Sequence, residues 1–273
     1  MYKESAKHVI VLNVIGKTYG TVNILKRLPA HQCQAIDFLP DVSTPVILFT
    51  RHSIREIAHG QGLAGYDLQL TREGRDLAFA WGEYLTTQSG RNIHYCISSP
   101  IQRCLDTAAL MVAGAAQTQP KSTPQIDILE QPLLVEPGSF VVDIRQAAPY
   151  FRQQGAVGFI NSFVKNALPG MKHPINGVLD VLRLLYDSYQ HRAINTTQKA
   201  QLSLAVSHDT ILAAFVAVIS GQFQVQPKDW PEMMEGLFVW FEYPETFASS
   251  HLHWVWRGQH HQLVIEHLLS AMQ

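Results

Sequence analysis

The chain contains no apolar run long enough to cross a bilayer, which excludes a transmembrane helix as its organising element. Cysteine is scarce: Cys33, Cys96 and Cys104 are the only three. An odd number with no C-x-x-C pair speaks against a disulfide framework and against a zinc site, and reads as free thiols in a reducing compartment. Neither sign of charge is in surplus, the formal net being -1 over 273 residues. That balance gives no footprint for nucleic acid and no charged tail. Internal repeats and low-complexity tracts are absent. At the N-terminus Lys3 and Lys7 precede a short apolar run, His8 to Ile15, but Glu4 and Asn13 interrupt the pattern and no small-residue cleavage site follows, so a signal peptide is not expected. These absences leave a soluble, cytoplasmic protein with no nucleic-acid or membrane partner. Its oligomeric state has no signature in the sequence. An apolar fraction of 47% supplies a sizeable core for one large α/β domain or two small ones.

What the chain does have is a stretch that changes character abruptly, Val46-Ile47-Leu48-Phe49-Thr50-Arg51-His52-Ser53-Ile54-Arg55. A continuous apolar run is the mark of a strand buried on both faces. Two arginines and a histidine then follow within five residues. Cations of that density cannot be left in a core, so the strand must end at a polar cleft. The planar guanidinium fork suits a phosphate better than a lysine does. A neutral imidazole between such groups can hydrogen-bond a phosphoryl group or attack it.

The chain in order predicts an α/β architecture. His8 to Ile15 and Gln34 to Leu39 read as strands and Val22 to Leu28 as a short helix. Residues 1–44 are thus an N-terminal extension, a small βαβ lobe or an added sheet layer. Gly16-Lys17-Thr18 resembles the end of a phosphate-binding P-loop but lacks its first glycine. Thr71 is the expected N-cap of a helix carrying Leu77, Ala78, Trp81 and Leu85 on its core face, with Glu73 and Asp76 near the positive end of its dipole. Asn92 to Ile97 is a strand, running into Ser98-Ser99-Pro100-Ile101-Gln102-Arg103 and a helix to Ala113, with Pro100 in the first turn. Ile126 to Leu129 is a short strand, and Gln131 to Phe140 a loop carrying Glu136. Helical pieces around Pro149–Gln154 and Phe159–Asn166 belong to a poorly periodic insertion, about residues 141–172, read as a cap over the cleft. His173 to Tyr189 is an amphipathic helix. Leu202 to Val206 is a strand ending at Ser207-His208-Asp209-Thr210, with an apolar helix, Ile211 to Ile219, behind it. Leu237–Tyr243 and His251–Arg257 read as antiparallel strands and Gln262–Met272 as a closing helix. The whole is expected to be a three-layer α/β/α sandwich with a mostly parallel central sheet, residues 45–273 forming the main domain.

Three strand ends share one chemistry: Arg51, His52 and Arg55 after the first, Arg103 after the second, His208 and Asp209 after the fourth. In open α/β sheets ligands bind outside the carboxyl ends of the strands, and helix N-termini there add attraction for an anion. Pattern alone therefore implies a phosphate or sulfate ester site, with no reason to invoke a metal or another cofactor. His251 and His253 share a strand face but lack an evident third ligand, and His260-His261 reads as a solvated turn. Ser98, Ser99 and Ser207 lie in no nucleophile elbow.

The set Arg51-His52, Ser-Ser-Pro-x-x-Arg103, Ser207-His208-Asp209-Thr210 and Leu70-Thr71-x-x-Gly74, with Gly82 and Tyr84-Leu85, resembles the histidine phosphatase superfamily, which includes the cofactor-dependent phosphoglycerate mutases. Arg-His-x-x-Arg paired with His-Asp, and Trp240-Phe241-Glu242, are similar to the acid-phosphatase branch. The resemblance implies a metal-independent phosphomonoester hydrolase in which His52 becomes a phosphohistidine, while Arg51, Arg55, Arg103 and His208 clamp the phosphoryl oxygens. Spread positive charge is what phosphoryl transfer needs, and the arginines should keep His52 neutral. The proton donor to the leaving alcohol is Asp209 by the acid-phosphatase pattern or Glu136 by the mutase pattern. A mutase, or a phosphate-binding pseudoenzyme, is the alternative. The family's usual glycine after the nucleophile is Ser53 here, whose side chain would crowd the phosphate or hydrogen-bond it.

Overall fold

The computed structural model describes residues 21–57, 65–118, 125–136, 138–190 and 200–271. The readings on His8 to Ile15 and on Gly16-Lys17-Thr18 lie outside the described residues. In chain order the elements are α1 (Thr21–Ile24), α2 (Ala30–Gln34), β1 (Val46–Arg51), α3 (Arg72–Ser89), β2 (Asn92–Ser98), α4 (Gln102–Ala116), β3 (Ile128–Glu130), α5 (Ile144–Val164), α6 (Pro174–Gln190), β4 (Gln201–Ser207), α7 (Asp209–Ile219), β5 (Gly236–Glu242), β6 (His251–Trp256), β7 (Gln259–Val264) and α8 (Ile265–Ser270).

One seven-stranded sheet runs β3-β2-β4-β1-β5-β6-β7. The pairings from β3 to β1 are parallel and those from β1 to β7 antiparallel. The expected parallel sheet is therefore the site-bearing half of a mixed one. All six residues of β1 are buried, as its apolar run requires for a central strand. The chain leaves β1 through α3 toward β2 and β3, then returns through α5 and α6 to β4. Right-handed crossovers put these outward and return helices on opposite faces. In keeping with that, α3 packs on α4, and α6 on α7. The α/β sandwich of the sequence reading is thus observed. Among the described residues no helix is long and apolar enough to cross a membrane.

Three expectations are corrected. Gln34 to Leu39 is a strand in neither half of the sheet: Ala35–Phe38 is a 3-10 turn following α2. Ile36 and Leu39, three apart, pack on the core while Phe38 faces solvent, a helical spacing that a strand reading misses. Pro100 precedes the helix it was assigned to, since Ile101 is the N-cap of α4. Gln262–Met272 is not one helix: β7 takes its start and α8 is only six residues long. The cause is the two-residue turn Arg257-Gly258, both at positive φ (49° and 72°), which folds β7 back onto β6. His260 and His261 consequently lie in a strand, with ring centroids 5.1 Å from Trp240 and 5.2 Å from Trp254.

The two helical pieces expected in the insertion are one span, α5, broken at Gly155 (φ 65°, ψ 178°). Its second half is core, with Phe159, Ile160, Phe163 and Val164 buried and α5 packed on α7. Ahead of β1, the segment Pro40–Thr44 is held by Arg91. Its Nη1 donates to the carbonyls of Val42 (3.1 Å) and Thr44 (2.6 Å), and its Nη2 to those of Pro40 (2.7 Å) and Asp41 (2.9 Å).

Candidate active site

The register of the sheet brings the distant residues together. Arg51 lies opposite Ser207, and Ser98 opposite Val206. Pairing continues one step beyond the strands: the His52 N–H donates to the Ser207 carbonyl (3.0 Å) and the Ser99 N–H to that of Val206 (2.9 Å). Three strand ends thus stop at one level, and the chain leaves each of them into a polar cleft. Of the seven sequence-predicted site residues, His52, Arg103 and His208 are in direct contact there, and Arg51 contacts Asp209.

The two imidazoles are fixed in complementary tautomers. His52 Nδ1–H donates to the Ser53 carbonyl (2.8 Å), so its Nε2 lone pair accepts from Arg103 Nε (3.0 Å). The same guanidinium donates Nη2 to His208 Nδ1 (3.3 Å), and His208 Nε2–H donates to Ser99 Oγ (3.0 Å). The rings stand 5.6 Å apart at 71°. Both residues are buried. Burial first, then Arg51, His208 and Arg103, hold His52 well below the usual histidine range. Burial followed by the three arginines 103, 51 and 55 takes His208 down to about 3. Both rings are therefore neutral, and His52 Nε2 is an available nucleophile. Arg103 is additionally tied by Nη1 to the Gly65 carbonyl (2.9 Å).

Arg51 is buried beside them. Its Nη2 pairs with Asp209 Oδ2 (2.6 Å) and its Nη1 donates to the Pro231 carbonyl (2.7 Å). Its Nε is buried with no partner among the described residues. Asp209 accepts two further bonds: Oδ2 also takes the Trp230 Nε1–H (3.2 Å), and Oδ1 takes the Thr210 N–H (2.9 Å). Glu136 is half-buried near Asp209, its backbone carbonyl accepting from Tyr66 Oη (2.6 Å). Withdrawal from water, and next the Asp209 charge, push the Glu136 carboxyl up to about 7. Arg55 donates Nη1 to the Glu56 carbonyl (2.9 Å), and its charge reaches Arg51, Arg103 and His208.

Ser53 does not face the cleft. It is fully buried, its hydroxyl donating to the Gly74 carbonyl (2.7 Å) and its N–H to Thr107 Oγ1 (3.0 Å). The expected crowding or hydrogen bonding of a phosphate by this side chain is thus replaced by a link between β1 and the start of α3. The Thr71-x-x-Gly74 pattern completes that link. Thr71 caps α3 by accepting from the Gly74 N–H (3.0 Å). A Cβ on Gly74 would lie 2.0 Å from the Ile54 carbonyl oxygen, so only glycine lets the helix start so close to the His52 turn.

Trp230, Glu235 and Ser99 were not assigned this role from sequence. Ser99 sat inside a recognised motif. Trp230 and Glu235 lie in a loop without periodicity, and only the folded chain puts them behind Arg51. Away from the cleft, His253 bonds to His260 (3.1 Å) and to Glu242 (3.2 Å). Among the described residues no group of three or more His, Cys, Asp or Glu has a metal-holding arrangement.

Residues 47–127 match the family described as histidine phosphatase superfamily, branch 1. That span contains Arg51, His52, Arg55 and Arg103, while Glu136, His208 and Asp209 follow it. The likeness to the acid-phosphatase branch is carried by the residue pattern alone. No match was found among curated proteins. Among solved structures, the native mycobacterial glucosyl-3-phosphoglycerate phosphatase is similar at TM-score 0.55 and 16% identity, over 78% of this chain and 99% of that one. Mycobacterial hydrolase 2 is similar at TM-score 0.55 and 16% identity, over 83% and 96%. The same phosphatase with inorganic phosphate bound matches at TM-score 0.50 and 16% identity, over 78% and 96%. Residues 47–127 thus carry a match to the histidine phosphatase superfamily, and the fold around them is similar to that of these phosphatases.

Proposed function

We propose that the protein hydrolyses small-molecule phosphate monoesters through a covalent phosphohistidine on His52, without a metal. The observation that carries this reading is the orientation of His52: Nδ1–H is engaged by the Ser53 carbonyl, which leaves the Nε2 lone pair at the focus of Arg103 and the neighbouring Arg51. Arg103 turns its Nε from Nε2 to a phosphoryl oxygen as the ester enters. Arg51, Arg55 and His208 take the remaining oxygens. Nε2 then attacks phosphorus and the ester P–O bond breaks. The departing alkoxide needs a proton, and Glu136 is the better donor. Its carboxyl, pushed up to about 7, still holds a proton near neutrality, whereas Asp209 is occupied by Arg51, Trp230 and the Thr210 N–H. In the second half, water attacks the phosphohistidine, Glu136 carboxylate takes the water proton, and phosphate leaves with His52 neutral again.

The structurally similar mycobacterial phosphatase forms a complex with inorganic phosphate, which supports a phosphate ligand for this fold. Free thiols at Cys33, Cys96 and Cys104 fit a cytoplasmic setting. The test is p-nitrophenyl phosphate hydrolysis in the presence of a chelator. Wild-type protein is expected to turn over, and His52→Ala to lose at least about a thousandfold, the scale of removing a nucleophile. Turnover that needs added metal, or that survives the substitution, overturns the mechanism. Isomerisation of a phosphate ester without phosphate release would make the protein a mutase.

A further inference from the structure

Arg257 occupies the first position of the β6–β7 turn at φ 49°, ahead of Gly258. Asparagine or glycine takes this conformation readily. An arginine pays about 1 kcal/mol or more for it, so its side chain must give something in return. Its guanidinium lies 5.1 Å over the Trp256 ring. Nε donates to Glu235 Oε1 (2.7 Å) and Nη2 to Glu235 Oε2 (3.1 Å), a bidentate pair with a fully buried carboxylate. Nη1 and Nη2 also donate to the carbonyls of Lys228 (2.9 Å) and Trp230 (3.2 Å). One side chain therefore ties both ends of the 228–235 loop.

That loop is the housing of Arg51. The Glu235 carbonyl accepts the Arg51 N–H (2.9 Å), the Pro231 carbonyl accepts Nη1, and Trp230 Nε1 holds the Asp209 oxygen that pairs with Nη2. With these groups fixed, Nε is a buried donor without a partner among the described residues and can serve an anion. The Met234 N–H bond to the His52 carbonyl (3.3 Å) ties the same loop to the nucleophile's backbone. We propose that Arg257, which contacts neither Arg51 nor His52 itself, is a positioning residue that sets Arg51 for phosphate binding through the Trp230–Glu235 loop. The proposal rests on the phosphatase reading for the identity of the anion.

The test uses Arg257→Gly, which removes the side chain and relieves the turn, and Trp230→Phe, which removes only the indole N–H. Inorganic phosphate binding is measured by calorimetry, with KM and kcat for p-nitrophenyl phosphate and a thermal melt alongside. Arg257→Gly is expected to bind phosphate about tenfold more weakly, near the loss of one charge-assisted hydrogen bond. KM should rise in parallel, kcat should move less, and millimolar guanidinium ion should restore part of the affinity where sodium chloride does not. Trp230→Phe should weaken phosphate binding severalfold. If Arg257→Gly keeps wild-type phosphate affinity, the role is refuted even if its melting temperature falls, because the contact is then only structural. If that variant does not fold, unchanged phosphate affinity in Trp230→Phe refutes it instead. A wild-type protein that neither binds phosphate nor hydrolyses the ester overturns the phosphatase reading and this role with it. An active wild type with unaltered variants overturns the positioning role alone.

Discussion

The imidazole at position 52 and the carboxyl at position 136 are tuned in opposite directions by the same loss of water. Burial disfavours the charged form of each group, so His52 stays neutral and Glu136 keeps its proton. On the proposed mechanism, a neutral nucleophile and a protonated acid are together what ester cleavage would require. The pH dependence follows in sign. As pH rises through about 7, Glu136 loses its proton, and kcat/KM for an alkyl phosphate should fall. His52 and His208, held below their usual range, should impose no matching loss between pH 5 and 7. Glu136→Gln is expected to lower kcat/KM for an alkyl ester by about a hundredfold or more, the usual worth of a general acid. Its loss on p-nitrophenyl phosphate, whose phenolate leaves unaided, should be much smaller. The fall near pH 7 should vanish in the variant, and pH–rate profiles of the two proteins on the two esters check this. Should the fall persist in Glu136→Gln and vanish in Asp209→Asn, the acid is Asp209.

Elements set these residues by where they begin and end. The meeting of Ile54, just past β1, with the start of α3 is one such place, since the Thr71 N–H donates to the Ile54 carbonyl (3.0 Å) while Gly74 abuts the same carbonyl. Gly74→Ala should force the two apart. Overpacking of that kind costs about 1–3 kcal/mol, and a displacement near 1 Å at the nucleophile costs about a hundredfold in rate. Thermal melts and kcat/KM of the variant check both. A variant that melts and turns over like wild type would mean that the turn yields without cost. The elements carrying the site were also those most readable in the sequence. β1 and β4 are buried on both faces and so appear as largely apolar runs, Val46–Phe49 unbroken and Leu202–Val206 interrupted only by Ser203. α3 announces itself through Thr71 and the Leu77–Trp81–Leu85 stripe, and α4 through the motif ahead of Arg103. The unreadable parts obey other rules. β7 is an edge strand whose residues Gln259, His260, His261 and Gln262 carry no apolar alternation, and it exists because Arg257-Gly258 reverses the chain. Residues 34–39 are too short for a period to emerge. Trp230 and Glu235 reach the site through contacts with residues about 20 to 200 positions away, namely Asp209, Arg257, Arg51 and His31, which no local pattern encodes.

On the scale of the whole molecule, the question is whether the segment ahead of β1 is an appendage or part of the folding unit. Its contacts favour the second. His31 Nε2 meets the buried Glu235 carboxylate (2.6 Å), and Gln32 Oε1 accepts the Gly236 N–H (3.1 Å), both immediately behind Arg51. Arg27 pairs with Glu73 at the start of α3 (2.5 Å), although that pair is exposed and worth little. The strongest tie is Arg91, which is 1% exposed and gathers four carbonyls from Pro40 to Thr44. Replacing it by alanine strips charge-assisted bonds from several carbonyls and leaves a cavity, at a cost of about 3 kcal/mol. For a chain of this size that corresponds to a fall of about 6–10 °C in melting temperature. If residues 21–44 fold with the sheet, Arg91→Ala should show one unfolding transition, shifted as a whole, with far-UV ellipticity and phosphate-ester turnover lost together. An appendage would behave otherwise: a minor early transition would separate from an unmoved main one, and activity would follow the main one. The Arg51 side of the cleft is braced by Glu235 and hence by His31, so a loosened segment should be felt at the cleft below the melting transition. The expected sign of that coupling is a KM in Arg91→Ala that rises with temperature faster than in wild type, because the brace and the site share the Glu235 corner.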